Sequence, residues 1–444
     1  MAGSLWQWLV RHRLVKSALR AAAKRGESQA RLAVDPEARV DPYPVYARIR
    51  RRAPIVRGRL TMATARHDAT SAILRSEQMM VGIDAESVPW ILRKAMVRPD
   101  DGRIVGPVDP PSLLAVNPPA HTRYRRLVSK VFTPRAIAAL EPRVVSTADE
   151  LLDELEGRDV VDLVETYASL LPVTVISQIL GVPLSMRDAV LRWGNAAAPS
   201  LDVGLGLREY LRVESGIHAF NEWMYGHIDR LRANPGDDLL SRLVTLEADG
   251  DRLTDKELMA TAGLVLAAGF ETTVNLIGTG THLLATHPDQ LALLRDDPSL
   301  WPNAVDEMLR YESPVQNTAR WAARDVEICG VTVPKGVLVL VFIGGANRDP
   351  EVFEDPDVFD VRRPNARDHL SFSAGVHYCV GAALARAEGR IGLQRLFERY
   401  PDLALAGEPT LRSTRTLRGF ETLPIAPGRP RVDRVAPAGA DLAP

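Results

Sequence analysis

The stretch HLSFSAGVHYCVGAALAR, residues 369–386, holds one of the two cysteines in a chain of 444 residues. Cys379 stands between Gly375 and Gly381, where a loop turns into an alanine-rich helix expected over 380–399. A helix start presents unpaired backbone N–H groups, which favour the ionised thiolate. Glycines on either side allow conformations and close approaches that a Cβ would block. N–H groups aimed at a sulfur also tune any metal that it binds. The pattern suits a single metal-binding thiolate, although a lone cysteine is more often a small apolar residue in a core. Zinc is disfavoured, because only His377 lies close and there is no second cysteine pair.

Working outward, the bulk composition is that of an ordinary globular chain, 46% hydrophobic and 25% charged, with a net charge of −1. Nothing in that balance favours a nucleic-acid partner, which would call for a basic excess. Two cysteines give no disulfide framework, and a reducing cytoplasmic setting is expected. Residues 1–30 read as a basic helical extension with Leu5, Trp8, Leu9 and Val15 near one face. Its apolar run is too short for a secretory signal, and docking on its own domain or weak membrane association is expected of it. Residues 31–428 are expected to form one domain, and the Pro-, Ala- and Gly-rich 429–444 a disordered tail.

Most of the chain has helical period, with short helices at 43–52 and 66–76 around a two-stranded hairpin. Residues 77–117 are irregular and long enough to be functional. Thr254 and Glu257 form a capping box before an apolar run that stops at His287-Pro288. This predicts a buried central helix of about 45 Å. Short strands follow the helix at 299–312, and Cys329 reads as one strand residue among them. The early hairpin and the late strands suggest one small sheet closed by both ends of the chain. The fold class is mainly α with a small β part.

Three further patterns carry chemistry. His121 and Arg125, at i and i+4, can bind one carboxylate. Glu307 and Arg310 stand one turn apart, the usual spacing of a surface ion pair. In LAAGFETT, Gly269 leaves room for close approach and Thr272 can bond back to the Ala268 carbonyl.

Taken together, FSAGVHYCVG, HTRYR, EMLR and AGFETT resemble the motifs of the cytochrome P450 family, in soluble bacterial, actinobacterial form. The resemblance runs from about Asp41 to Pro427. It implies the P450 fold, with the long central helix over a buried haem and a small β-sheet subdomain. It makes Cys379 the axial ligand of the iron of haem b, with Phe372, Ala268, Gly269 and Gly381 close to the cofactor. It gives His121, Arg125, Arg320 and His377 to the haem propionates. It places Glu307 and Arg310 in a buried triad with Arg363, and makes Glu271 and Thr272 an acid–alcohol pair that relays protons. One departure stands out: Ser373 follows Phe372, where the common family form has glycine.

The implied activity is hydroxylation of a hydrophobic lipid, terpenoid, steroid or polyketide, using O2 and two electrons. With no flavin or iron–sulfur signature in the chain, the electrons come from a ferredoxin and its reductase. Arg123, Arg126, Lys130 and Arg386 offer that donor a basic face. Substrate contacts are expected at Leu264, Ala267, Ala268, Val315, Gln316 and Leu417, beside the 77–117 loop. A monomer is expected. The rival readings are a peroxygenase or isomerase of the same fold, or a non-catalytic haem- or ligand-binding protein.

Overall fold

The computed structural model describes residues 2–59, 61–82, 104–130, 132–245 and 252–431. Most of the 77–117 loop and the tail therefore lie outside the described residues. The N-terminal helix begins as α1 (Ala2–Trp8), passes through a wider π-type stretch at Leu9–Leu14, and continues as α2 (Val15–Lys24). The π stretch shifts the helix phase. Val10 and His12 turn inward and Leu5 stays exposed, so the expected apolar face is displaced.

The helices α3 (Tyr43–Arg52) and α4 (His67–Arg75) follow as expected. Next come α5 (Ala120–Ser129), α6 (Pro134–Asp153) and α7 (Leu170–Ile179). Beyond them lie α8 (Arg187–Ala197) and α9 (Leu207–Ala233). The long helix is α10 (Asp255–Thr286). The Thr254 side chain accepts from Glu257 N at 3.3 Å, and Glu257 accepts from Thr254 N at 2.8 Å, so both halves of the capping box form. By length and apolar composition α10 could cross a membrane, yet 72% of its most apolar stretch is buried within the fold. It is the axis of the main core, flanked by α7, α9, α11 (Trp301–Tyr311) and α12 (Ala382–Arg399). The pair α6 and α12 is pinned by Arg395 to Asp149 at 2.7 Å and by Tyr400 Oη to the Leu152 carbonyl at 2.8 Å.

The β part is several small sheets. Strands β1 (Val56–Arg57), β2 (Met62–Thr64), β3 (Met79–Met80), β4 (Val161–Asp162), β5 (Thr318–Ala322), β6 (Val326–Ile328), β7 (Val331–Val333) and β8 (Leu338–Val341) precede four late ones. These are β9 (Ala404–Leu405), β10 (Thr410–Leu411), β11 (Phe420–Thr422) and β12 (Pro424–Ala426). The early hairpin joins the order β1-β2-β8-β5-β3, with β2 and β8 parallel. The late strands instead form β4-β12-β9 and β10-β11. One sheet closed by both chain ends is therefore wrong: the early hairpin finds its partner in the middle strands. Cys329 is likewise no strand residue. It turns the β6–β7 hairpin with a positive φ of 48° and is exposed.

Candidate functional site

The cysteine loop is built from backbone geometry upward. Gly375 has φ +66°, and a Cβ there would fall 2.6 Å from the Leu74 carbonyl oxygen at the end of α4. Only glycine fits that turn. Ser373, the departure from the family form, also adopts positive φ, at 62°. The loop closes through Cys379 N donating to the Phe372 carbonyl at 2.9 Å. Gly381 has ordinary backbone angles and is the residue that opens α12, so its expected steric role is replaced by an N–H directed at the Cys379 sulfur.

Cys379 is open to solvent by accessible area, yet it lies deep among protein atoms. Both hold if the thiol faces a space inside the fold. Burial pushes its pKa up, while the Gly381 N–H, Arg125 and Arg386 pull it down. Arg386 also lies 4.5 Å over the buried Phe372 ring and pairs with Asp306 at 2.6 Å.

Around this loop, four nitrogen side chains converge without an anion. The rings of His121 and His377 are 4.2 Å apart. Arg125 donates to the Tyr378 carbonyl. Arg320 is buried, and its side chain bonds only the Thr318 hydroxyl and the Ala319 carbonyl among the described residues. His377 is pushed down to about 3 by burial and by His121, Arg320 and Arg125, and burial pushes Arg320 down to about 10. Such a cluster is costly unless an anionic group joins it. A cofactor carrying two carboxylates beside a thiolate-bound metal fits these donors.

The long helix contributes one accessible stripe. Gly263, Ala267, Ala268, Gly269 and Thr272 are accessible positions amid buried neighbours. Thr272 Oγ1 bonds the Ala268 carbonyl at 2.8 Å. Gly269 differs from expectation, since a Cβ there would fall 2.9 Å from Ile176 Cδ1, so the missing side chain leaves room for Ile176 and not for a ligand. Phe270 is fully buried against Gly194. Glu271 is buried and meets Arg412 at 2.6 Å. Leu264 packs with Leu113 and Val128, and Val380 of the cysteine loop lies against the same cluster. Val315 and Leu417 form an isolated β-bridge. Gln316 is a correction among the expected substrate contacts. It is buried, donates to the Ser313 carbonyl at 2.8 Å and meets Tyr46 Oη at 3.2 Å, so it serves packing.

Glu307, Arg310 and Arg363 do come together in the core. Arg310 grips Glu307 through Nε at 2.6 Å and through its second nitrogen at 2.7 Å, and Arg363 Nε reaches the same carboxylate at 3.2 Å. The remaining guanidinium donors go to the carbonyls of Asn347, Pro356 and Val358 from Arg310, and of Glu354 and Asp355 from Arg363. Full satisfaction of this kind is what allows a buried ion triad.

Comparison with known proteins decides the family. The family model for cytochrome P450 matches residues 299–418. A protein of Mycobacterium tuberculosis named "Putative cytochrome P450 140" is 49% identical over 428 residues, 96% of this chain and 98% of that one. The chain belongs to the cytochrome P450 family. The 6-deoxyerythronolide B hydroxylase of Saccharopolyspora erythraea is 41% identical, covering 87% of this P450 and 96% of the relative. The ligand-free crystal structure of CYP164A2 from Mycobacterium smegmatis superposes with a TM-score of 0.80 at 36% identity, over 90% of this chain and 99% of that one. The fold is therefore the P450 fold of bacterial members, the cofactor is haem b, and the activity class is monooxygenase.

Two residues of this P450 site escaped the sequence. Asp306 is buried and held down to about 2 by hydrogen bonds to His369 and Arg386, against the upward push of burial. It also pairs with Arg367, tying α11 to the cysteine loop and α12. Arg412 comes from the far end of the chain. Neither stands at a local spacing that would mark it. The structure also redraws the expected donor face. Arg123 is tied to Glu257 at 2.8 Å, and Arg386 is committed to Asp306.

Proposed function

We propose that this P450 hydroxylates a hydrophobic small molecule of lipid, terpenoid, steroid or polyketide class, with Cys379 as the ligand of haem iron. The observation that carries the reading is the anion-seeking cluster His121, Arg125, Arg320 and His377 beside an accessible, deeply set thiol. Bound haem supplies the activation of dioxygen, and the protein supplies position, polarity and protons.

Cys379 holds the metal, and its ionised form is supported by the Gly381 N–H and by Arg125 and Arg386. The four nitrogen side chains orient the propionates. Phe372, propped by Arg386, shields the sulfur from water. Thr272 and Glu271 hold and pass protons along α10. The triad of Glu307, Arg310 and Arg363 keeps the segment before the cysteine loop in shape. Leu264, Ala267, Ala268, Val315 and Leu417 line the substrate's side. The polyketide and sterol-like classes draw support from relatives named 6-deoxyerythronolide B hydroxylase and vitamin D(3) 25-hydroxylase.

Electrons come from a ferredoxin and its reductase. A cleft of 470 Å³ between α4 and the cysteine loop, lined by His67, Arg75, Arg367, Asp368 and Tyr378, gives that donor a seat in which Arg75 is a cation not tied to Asp306. We place the protein in the cytoplasm as a monomer. One domain spans 31–428, and residues 1–30 form an added helical extension, whose helix ends at Lys24 and whose exposed Leu5, Trp6 and Leu14 give it a weak hold on lipid.

The test is the spectrum of the reduced, carbon monoxide-bound holoprotein. A thiolate-type Soret band is expected, and its loss in Cys379→Ser assigns the ligand. A wild-type protein that takes up haem without that band overturns the reading.

A further inference from the structure

Glu271 lies on the face of α10 that meets the β10–β11 hairpin. Arg412, the residue after β10, brings a guanidinium nitrogen within 2.6 Å of its Oε1. Arg412 is itself held by the hairpin: Nε donates to the Phe420 carbonyl at 3.2 Å, and its backbone N donates to the Gly419 carbonyl at 3.0 Å. The contact with Glu271 is close, and neither carboxylate oxygen has a hydrogen-bond partner among the described residues, so the pair is a charge contact.

One turn further along the same face stands Asn275. It is buried, and neither its amide oxygen nor its nitrogen has a partner among the described residues. A Cβ at Gly419 would fall 2.1 Å from that oxygen, so the hairpin loop lies directly on the amide. Buried amides that lack protein partners are sites for ordered water. Glu421 on β11 is exposed and adds a negative charge in the neighbourhood of Glu271. The hairpin's other contact is with the substrate side: Leu417 bridges Val315, and Arg418 N donates to the Pro314 carbonyl at 2.9 Å.

We infer that Arg412 is a positioning residue for proton delivery, holding the Glu271 carboxylate toward the hairpin, where water ordered at the Asn275 amide supplies it with protons. The inference rests on the proposed role of Glu271 as the acid of the relay. The same loop carries Arg412 at its base and Leu417 near its tip, so the hold on Glu271 and the substrate side share one hairpin. Burial raises the pKa of Glu271, Arg412 lowers it and Glu421 raises it.

The test compares Arg412→Ala, Arg412→Lys and wild type as full-length holoproteins. Infrared difference spectra follow the protonated carboxyl band of Glu271, assigned by its absence in Glu271→Gln. Removing the guanidinium leaves burial unopposed, so the band's titration should move up by about 1–3 pH units in Arg412→Ala and stay near wild type in Arg412→Lys. In parallel, product formed per oxygen consumed should fall several-fold, and the solvent deuterium isotope effect should rise, in the alanine variant alone. An unmoved titration with wild-type coupling overturns the inference, as does lowered stability with neither spectroscopic nor isotope change. The carbon monoxide spectrum separates the two failures. A wild type without the thiolate band sinks the proposed function, while the infrared titration still reports on the Glu271–Arg412 pair.

Discussion

At the scale of single residues, Ser373 is the position where this chain differs from its own motif. The backbone there has φ 62°, a region that costs an L side chain roughly 1–2 kcal/mol. Its hydroxyl has no partner among the described residues to offset that cost. Ser373→Gly should therefore stabilise the holoprotein by about 1 kcal/mol, less the chain entropy that glycine adds. Urea unfolding measures this, and haem content should not change. The same loop shows which site residues a sequence can reveal. Cys379, His377, His121, Arg125, Glu307 and Arg310 stand in short local patterns that resemble a family's motifs, and it is that resemblance, not the spacing alone, that gives them their roles. Arg412 and Asp306 are defined by partners far away in the chain, and no spacing records such pairs. Gln316 was misread because its neighbour Val315 does face the bridge to Leu417, and a one-residue step along a strand entry reverses the side chain.

At the scale of elements, the N-terminal helix is strapped to the connector between α8 and α9. Trp8 Nε1 donates to the Leu205 carbonyl at 3.0 Å, and Lys16 Nζ donates to the Gly204 carbonyl at 2.9 Å. Between them, His12 Nδ1 accepts from Leu205 N at 3.3 Å, a role open only to a neutral ring. Burial and Arg11 lower its pKa from 6.5 to about 4. The docked state binds fewer protons than the free one across that interval. Docking is therefore strongest above pH 6.5 and is lost as pH falls toward 4, by up to about 3 kcal/mol. Limited proteolysis within residues 1–25 should accelerate over that window, and His12→Gln should flatten the dependence. The docking surface itself was not legible, because the π-type stretch at Leu9–Leu14 breaks the periodicity on which a helical face is read. The long helix was legible throughout, since its capping box and its terminal His-Pro are both local signals.

At the scale of the whole molecule, stability concentrates where charge is buried. Arg363→Ala leaves Glu307 with one guanidinium in a dry core, and frees carbonyls of the 354–358 segment that Arg363 had satisfied. The expected cost is about 3–5 kcal/mol, seen as a lower Tm with haem loss on heating. Arg363→Lys should recover only part of it, since one ammonium cannot copy the planar fork. The helical part of the architecture followed from periodicity. The sheets did not, because strand pairing over long separations leaves no trace in any window.

The parallel pairing of β2 with β8 has a consequence for biosynthesis. Residues 62–64 leave the ribosome long before 339–341 have been made. At about 5–20 residues per second the wait is on the order of tens of seconds. During that time a buried strand edge carrying Met62 stands without its mate. Slower initiation, cooler growth or co-produced chaperones should therefore raise the soluble yield more than any change at the pigment-binding end of the gene.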